Sequence, residues 1–334
     1  MMVFFAALQS RLRRRRNGRI PVLTVVFALV LSLGSLPLSA EDALIWQIRH
    51  PERPGVLFLA GSVHLGRADM YPLDRAYDEA LGKSDYLVFE IASPNLMKAA
   101  AFTMKRGMYP ARSEVNLKTL LGDKDFTLLC GMIRGVTPAS LARMKPWVVM
   151  PLMEIEEAKK MNFTVECGLE SVIHAAGAGR PERSLETDLG QLQMIADPAV
   201  EGEILDEIRR TLSDPETLRG EIRSLVPAVR EGETGPVLQS LDKMRRDTPG
   251  VYRNLIGSRN QGMAKRLFEM LKEEKTGFVL VGAGHCLGSE SIQELLKREG
   301  CTSVRLKFTG EPGKLKPKEK TVRTVVGPDR ADEK

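Results

Sequence analysis

Val56–Gly66, VLFLAGSVHLG, and Phe278–Gly288, FVLVGAGHCLG, carry one pattern twice. Each is a continuous apolar run that ends at glycine and reaches a histidine three positions later, Gly61 to His64 and Gly282 to His285. Short apolar runs closed by turn residues read as strands buried on both faces, as in a parallel sheet. Glycine tolerates the dihedrals of a sharp turn at the strand end, and the carboxyl edge of an open α/β sheet is where ligand sites lie. The chain has only four histidines, so two of them in matching places is informative. One copy alone would read as a hydrogen-bonded turn residue. Two copies after two buried strands point to a single shared site, because imidazole at such an edge can bind a metal or transfer protons.

Outward from these runs, Ala43–Arg49 alternates over part of its length and Pro51–Gly55 turns the chain, which predicts an outer strand hairpinned to the buried one. Pro72 opens a helix with Leu73, Ala76, Tyr77, Ala80 and Leu81 on one face, and Tyr86–Ile91 is a further strand. From about Pro94 to Glu274 the pattern is helical, and no strand is predicted there. After the second run, Ser291 with Glu294 forms a capping box, Gly300 stops the helix and Ser303–Phe308 is a last strand. The fold class is therefore α/β, with a central sheet formed from strands at both ends of the mature chain and a large helical insertion between them. Met97, Met104, Met150 and Met153 sit at helical spacing and are expected to fill the core rather than line a cleft.

The first 40 residues hold six arginines and no acid, and an apolar run from Pro21 to Leu38 ends at Ser39-Ala40. A positive segment, an apolar segment and a small-residue boundary read as a signal peptide over 1–40, with an uncleaved signal anchor as the alternative. Either reading puts the remainder outside the cytoplasm, periplasmic or secreted, touching a membrane only through an uncleaved N-terminal segment. The whole-chain charge of +6 belongs to the six signal arginines, since the rest carries 43 basic and 43 acidic residues. Nucleic acid is thereby excluded as a partner. One domain is expected over 41–309, followed by a disordered basic tail over 310–334. Of the four cysteines, Cys286 and Cys301 flank a helix and are too far apart to pair. Any bridge would join Cys130 to Cys167, with reduced, buried thiols as the other possibility.

Further residues bear on chemistry. Glu90 lies in an apolar strand, where an unpaired carboxylate is costly. It either pairs with an arginine, for which Arg259 is the candidate, or completes a two-histidine, one-carboxylate metal site; both stay open at this point. Arg259 otherwise reads as a charged helix start, and Glu186, followed by Gln191, as an acid suited to a helix N-terminus. His50 and His174 read as structural or surface residues. Cys286 next to His285 is a weak nucleophile candidate because sequence neighbours point apart.

Taken in order, GSVHLG, YPL, FEI, KPW, GLE, RPERSLET, SRNQGMA and VGAGHCLG resemble the TraB/GumN family over about Ala43 to Phe308. That family looks related to the TIKI metal-dependent peptidases and to the TraB/PrgY pheromone-shutdown proteins. The resemblance implies an α/β fold with two Gly-x-x-His turns, a glutamate and an arginine at its centre, carried here by His64, His285, Glu90 and Arg259. Glu170 departs from the pattern by standing where aspartate is usual, and Cys286 by replacing the common leucine. The expected function is an exported metal-dependent hydrolase, peptidase-like, with a divalent ion (Mn, Co or Zn) on His64, Glu90 and His285. Glu90 is also a candidate base, and Arg259 a stabiliser of developing negative charge. The substrate would be a peptide or protein. The alternatives are a non-catalytic extracytoplasmic binder of peptide, haem or another ligand, and a partner-docking protein with a degenerate site.

Overall fold

The computed structural model describes residues 42–317. The predicted signal segment and residues 318–334 lie outside them. Six strands, β1 (Asp42–His50), β2 (Arg53–Ser62), β3 (Tyr86–Phe89), β4 (Glu182–Ser184), β5 (Thr276–Gly282) and β6 (Thr302–Lys307), form one sheet in the order β4-β3-β5-β2-β1-β6. β1 is antiparallel to β2 and to β6, whereas β2, β3, β4 and β5 run parallel. The C-terminal β5 is inserted between β2 and β3. Strands from both ends of the described chain thus build the sheet, as the two apolar runs require.

Burial explains the strand readings. β3 is buried at all four positions and β5 at its five central ones, the pattern of strands covered on both faces. β6, at the sheet edge, has no buried position. The core on the sheet includes Leu57, Leu59, Phe278 and Leu280, and helices such as Arg75–Gly82 and Ser258–Met270 contribute Tyr77, Met263 and Leu267 to it. A second core lies among the inserted helices around Trp147, Leu152, Met153 and Ile208. Helix Glu201–Ser213 buries Ile204, Leu205, Ile208 and Leu212, an apolar stripe at the i, i+4 spacing of one helix face.

The structure corrects three readings and decides between the two offered for the cysteines. β4 lies in the stretch where no strand was predicted. Its residues Glu182-Arg183-Ser184 are polar, and it joins the sheet through backbone pairing of Leu87 with Glu182 and of Phe89 with Ser184. Met97 and Met104 are 83 % and 69 % exposed, because helix Leu96–Arg106 buries the small residues Ala99 and Thr103 instead. Met153 is fully buried, as expected, and Met150 half-buried. All four cysteines are unpaired, Cys130 and Cys167 included. The chain also stays packed beyond Gly310. The Gly313 amide donates to the Leu73 carbonyl (2.7 Å), the Lys314 amide to Asp78 Oδ2 (2.9 Å), and Leu315 is 5 % exposed.

Candidate functional site

β2, β5 and β3 are neighbours and run the same way, so their carboxyl ends share one edge. His64 follows β2, His285 follows β5 and Glu90 follows β3. The two glycine turns touch: a Cβ on Gly61 would stand 3.2 Å from Ala283 Cα. Strand order alone therefore puts three of the predicted site residues on one sheet edge.

The second histidine is held by a chain of forced hydrogen bonds. Asn260, fully buried, donates from Nδ2 to the Glu290 carbonyl (2.7 Å), so its Oδ1 must be the atom facing His285 Nδ1 at 2.6 Å. An acceptor there places the imidazole proton on Nδ1. Nε2 keeps its lone pair, 3.6 Å from Glu90 Oε1. Burial, reinforced by Arg259, pushes the His285 pKa down to about 4, so the ring is neutral at physiological pH.

His64 is set by a different loop. Gly66 and Thr164 exchange backbone hydrogen bonds (2.9 and 2.8 Å), and the Leu169 amide donates to the Val63 carbonyl (3.3 Å). The loops approach so closely that a Cβ on Gly66 would collide with the Cys167 carbonyl, and one on Gly168 with the His64 carbonyl. This contact brings Glu170, in the first turn of helix Leu169–Ala176, against His64: Oε2 lies 2.7 Å from Nδ1, and Oε1 accepts from Ser62 Oγ (3.2 Å). The Glu170 carboxylate raises the His64 pKa against the effect of burial.

Glu90 pairs with Arg259, as one of its two sequence readings anticipated. Oε2 accepts from Arg259 Nη2 (2.5 Å) and Gln191 Nε2 (2.9 Å), and Oε1 accepts from the Gly282 amide (2.8 Å). Burial opposes its charge, but Arg259 and the two histidines hold its pKa well below the carboxylate range. Arg259 also binds Glu186 through Nε (3.0 Å) and Nη2 (2.6 Å), and it donates from Nη1 to the Leu255 carbonyl (3.1 Å). Its guanidinium fork thus clamps two carboxylates, and Gln191 bridges the same pair by donating to Glu186 (2.9 Å). In the sequence Glu186 shows only as a helix-start acid and Glu170 only as a departure from the family pattern, and nothing marks Asn260. A buried arginine needs carboxylate partners, and that requirement was the available signal for Glu186.

His64 and Glu90 line a cleft of about 400 Å³ with Phe89, Ile91, Pro94 and Leu192. Of the remaining histidines, His174 lines the same cleft, more than half exposed and beside Glu182, whereas His50 accepts from the Glu52 amide and packs on Phe268. Cys286 is 1 % exposed and burial drives its thiol pKa far up, which rules it out as a nucleophile.

The family model described as TraB/PrgY/gumN matches residues 44–305, nearly all of the described chain. The chain belongs to this family. It is also similar to metalloprotease TIKI1 of Danio rerio, 46 % identical over 50 residues, which cover 14 % of this chain and 10 % of that protein. The chain therefore spans about a tenth of the length of this curated relative. No solved structure matches.

In this TraB/PrgY/gumN chain the donors suit a divalent cation in kind. Each imidazole has Nδ1 tied to an oxygen, Glu170 or Asn260, the second-sphere arrangement that presents Nε2 to a metal. At His285 a bare lone pair faces a carboxylate oxygen with no proton between them, a juxtaposition that a cation resolves. Among the described residues, however, no three His, Cys, Asp or Glu side chains already stand as a coordinating cluster, and Glu90 already accepts from three donors, two of them on Oε2.

Proposed function

We propose that the chain is an exported, metal-dependent hydrolase acting on peptide bonds. The observation that carries this reading is the pair of Gly-x-x-His turns on one sheet edge, each imidazole anchored at Nδ1, with His285 Nε2 3.6 Å from Glu90 Oε1 and His64 lining the same cleft as Glu90. Membership of the TraB/PrgY/gumN family and the short likeness to a protein named a metalloprotease support it. His64 and His285, with Glu90 as third donor, would hold Mn, Co or Zn. Such an ion supplies Lewis acidity and activates water near neutral pH. The protein's own residues do the rest. Arg259, permanently charged, holds Glu90 and Glu186 in place, and its fork suits a developing oxyanion or a substrate carboxylate once a contact is released. The apolar walls of the cleft exclude water from the scissile region and receive a peptide side chain. Export and a periplasmic or secreted location are part of the same proposal, resting on the N-terminal charge pattern.

The competing reading is a non-catalytic binder of a peptide or haem, and one observation favours it: Glu90 already accepts three hydrogen bonds, two of them on Oε2, which compete with a metal or a proton for its lone pairs. Both readings meet one experiment. His64→Ala and His285→Ala are made separately, checked for folding, and assayed for bound metal and for cleavage of a broad peptide library. The hydrolase reading expects stoichiometric metal and cleavage in the parent, and loss of both in each variant. A parent that carries metal but cleaves nothing leaves the site and removes the peptidase; folded variants equal to the parent in both properties remove the shared site.

A further inference from the structure

A second cavity, of about 170 Å³, lies among the inserted helices Pro146–Lys160, Glu201–Ser213, Pro215–Glu231 and Gly235–Asp247. The π-helical turn Arg253–Gly257 helps to wall it, and Leu255 of that turn gives its carbonyl to Arg259 on the other side. Most of the lining is apolar, with Met150, Ile204, Leu218, Met244 and Val251 among its walls. Methionine and branched aliphatic walls adapt to a small organic body, and an apolar cavity of about 150 Å³ is enough to hold benzene.

The charges on this cavity are asymmetric. Its one lysine, Lys243, is already held by Glu221 (2.6 Å) and Glu207 (3.5 Å). Glu154 also lines the cavity and has no hydrogen-bond or ion-pair partner among the described residues. An anionic guest would meet no available cation, whereas a cationic guest would meet one unpaired carboxylate in apolar surroundings, where such a pairing is strongest. Burial pushes the Glu154 carboxyl up to about 7, and the fields of Glu221 and Glu207 add to this while His64 opposes it. A carboxyl in that state gains its charge when a cation arrives.

We propose that this cavity binds a small organic amine, its apolar body against the methionine and aliphatic walls and its ammonium on Glu154. The cavity shares no lining residue with the His64–Glu90 cleft, although Glu154 feels the field of His64, and the proposal does not depend on the hydrolase reading. Benzylamine, benzyl alcohol and benzoate, which share a ring and differ in charge, are titrated by calorimetry into the purified protein and into three variants. Glu154→Gln removes the charge without removing any observed contact, Ser240→Trp fills the cavity from a half-buried lining position, and His64→Ala alters the other cleft. The expected result is saturable benzylamine binding at least tenfold tighter than that of the alcohol or the acid. That preference should vanish in Glu154→Gln, all three ligands should weaken in Ser240→Trp, and binding should persist in His64→Ala. Benzylamine affinity unchanged by Glu154→Gln, a preference for benzoate, loss of binding in His64→Ala or no saturable amine binding by the parent would each overturn the proposal.

Discussion

Arg259 is 8 % exposed and holds two carboxylates that are themselves nearly buried. Removing a partner from a buried ion pair leaves uncompensated charge and costs about 3–5 kcal/mol. Arg259→Met is therefore expected to lose stability on that scale in urea unfolding, and Arg259→Lys to lose less, since an ammonium keeps the charge although it cannot span Glu90, Glu186 and the Leu255 carbonyl together. A methionine variant within 1 kcal/mol of the parent would show that the clamp contributes little. Glu154 gives the opposite case. Its pKa is raised from 4.5 to about 7 in the folded protein, so the native state binds the proton more tightly than the unfolded one. Stability from this group is present below the unfolded value and is lost as pH rises from 4.5 to about 7. Glu154→Gln should match the parent near pH 4 and exceed it by about 1–3 kcal/mol above pH 7, as read by denaturant midpoints. A difference independent of pH would contradict the raised pKa.

At the scale of elements, the site depends on how the His64 turn meets the loop that leads into helix Leu169–Ala176. Gly168 lies against the His64 carbonyl with no room for a Cβ. Gly168→Ala is expected to push the two loops apart, cost about 1–3 kcal/mol as an overpacked contact does, and break the His64–Glu170 pair. NMR titration of the His64 ring should then show a lower pKa than in the parent, because the carboxylate that raises it has moved. An unchanged His64 titration would mean that the loops are not rigidly coupled. Both Gly-x-x-His turns were legible in the sequence, because strand, glycine and histidine are contiguous. The partner of each Nδ1 was not. Glu170 is 106 positions from His64 and Asn260 is 25 from His285, and no local periodicity encodes such a meeting. β4 escaped for a related reason: a three-residue polar strand has no apolar alternation, and only its backbone pairing to β3 makes it one.

Over the whole molecule, the N-terminal β1 and β2 are paired with the C-terminal β6 and β5, so one sheet closes the chain on itself and a single cooperative unfolding transition is expected. Two separated transitions in calorimetry would contradict this. The segment after β6 belongs to the same body. A chain ended after Thr309 should be about 1.5–3 kcal/mol less stable than one ended after Pro317, chiefly through the lost burial of Leu315. Equal melting temperatures would show that this segment contributes nothing. By itself the sequence determined the α/β class, the pairing of both chain ends in one sheet and the placement of His64, His285 and Glu90 at strand ends. Those features follow from apolar runs and glycine turns, which are local. Only the tertiary structure decided that Arg259 closes on Glu90 and Glu186, that Asn260 and Glu170 orient the histidines, and that Met97 and Met104 face outward. Each of these depends on the low dielectric or the free space created when distant segments pack, and neither exists until the chain has folded.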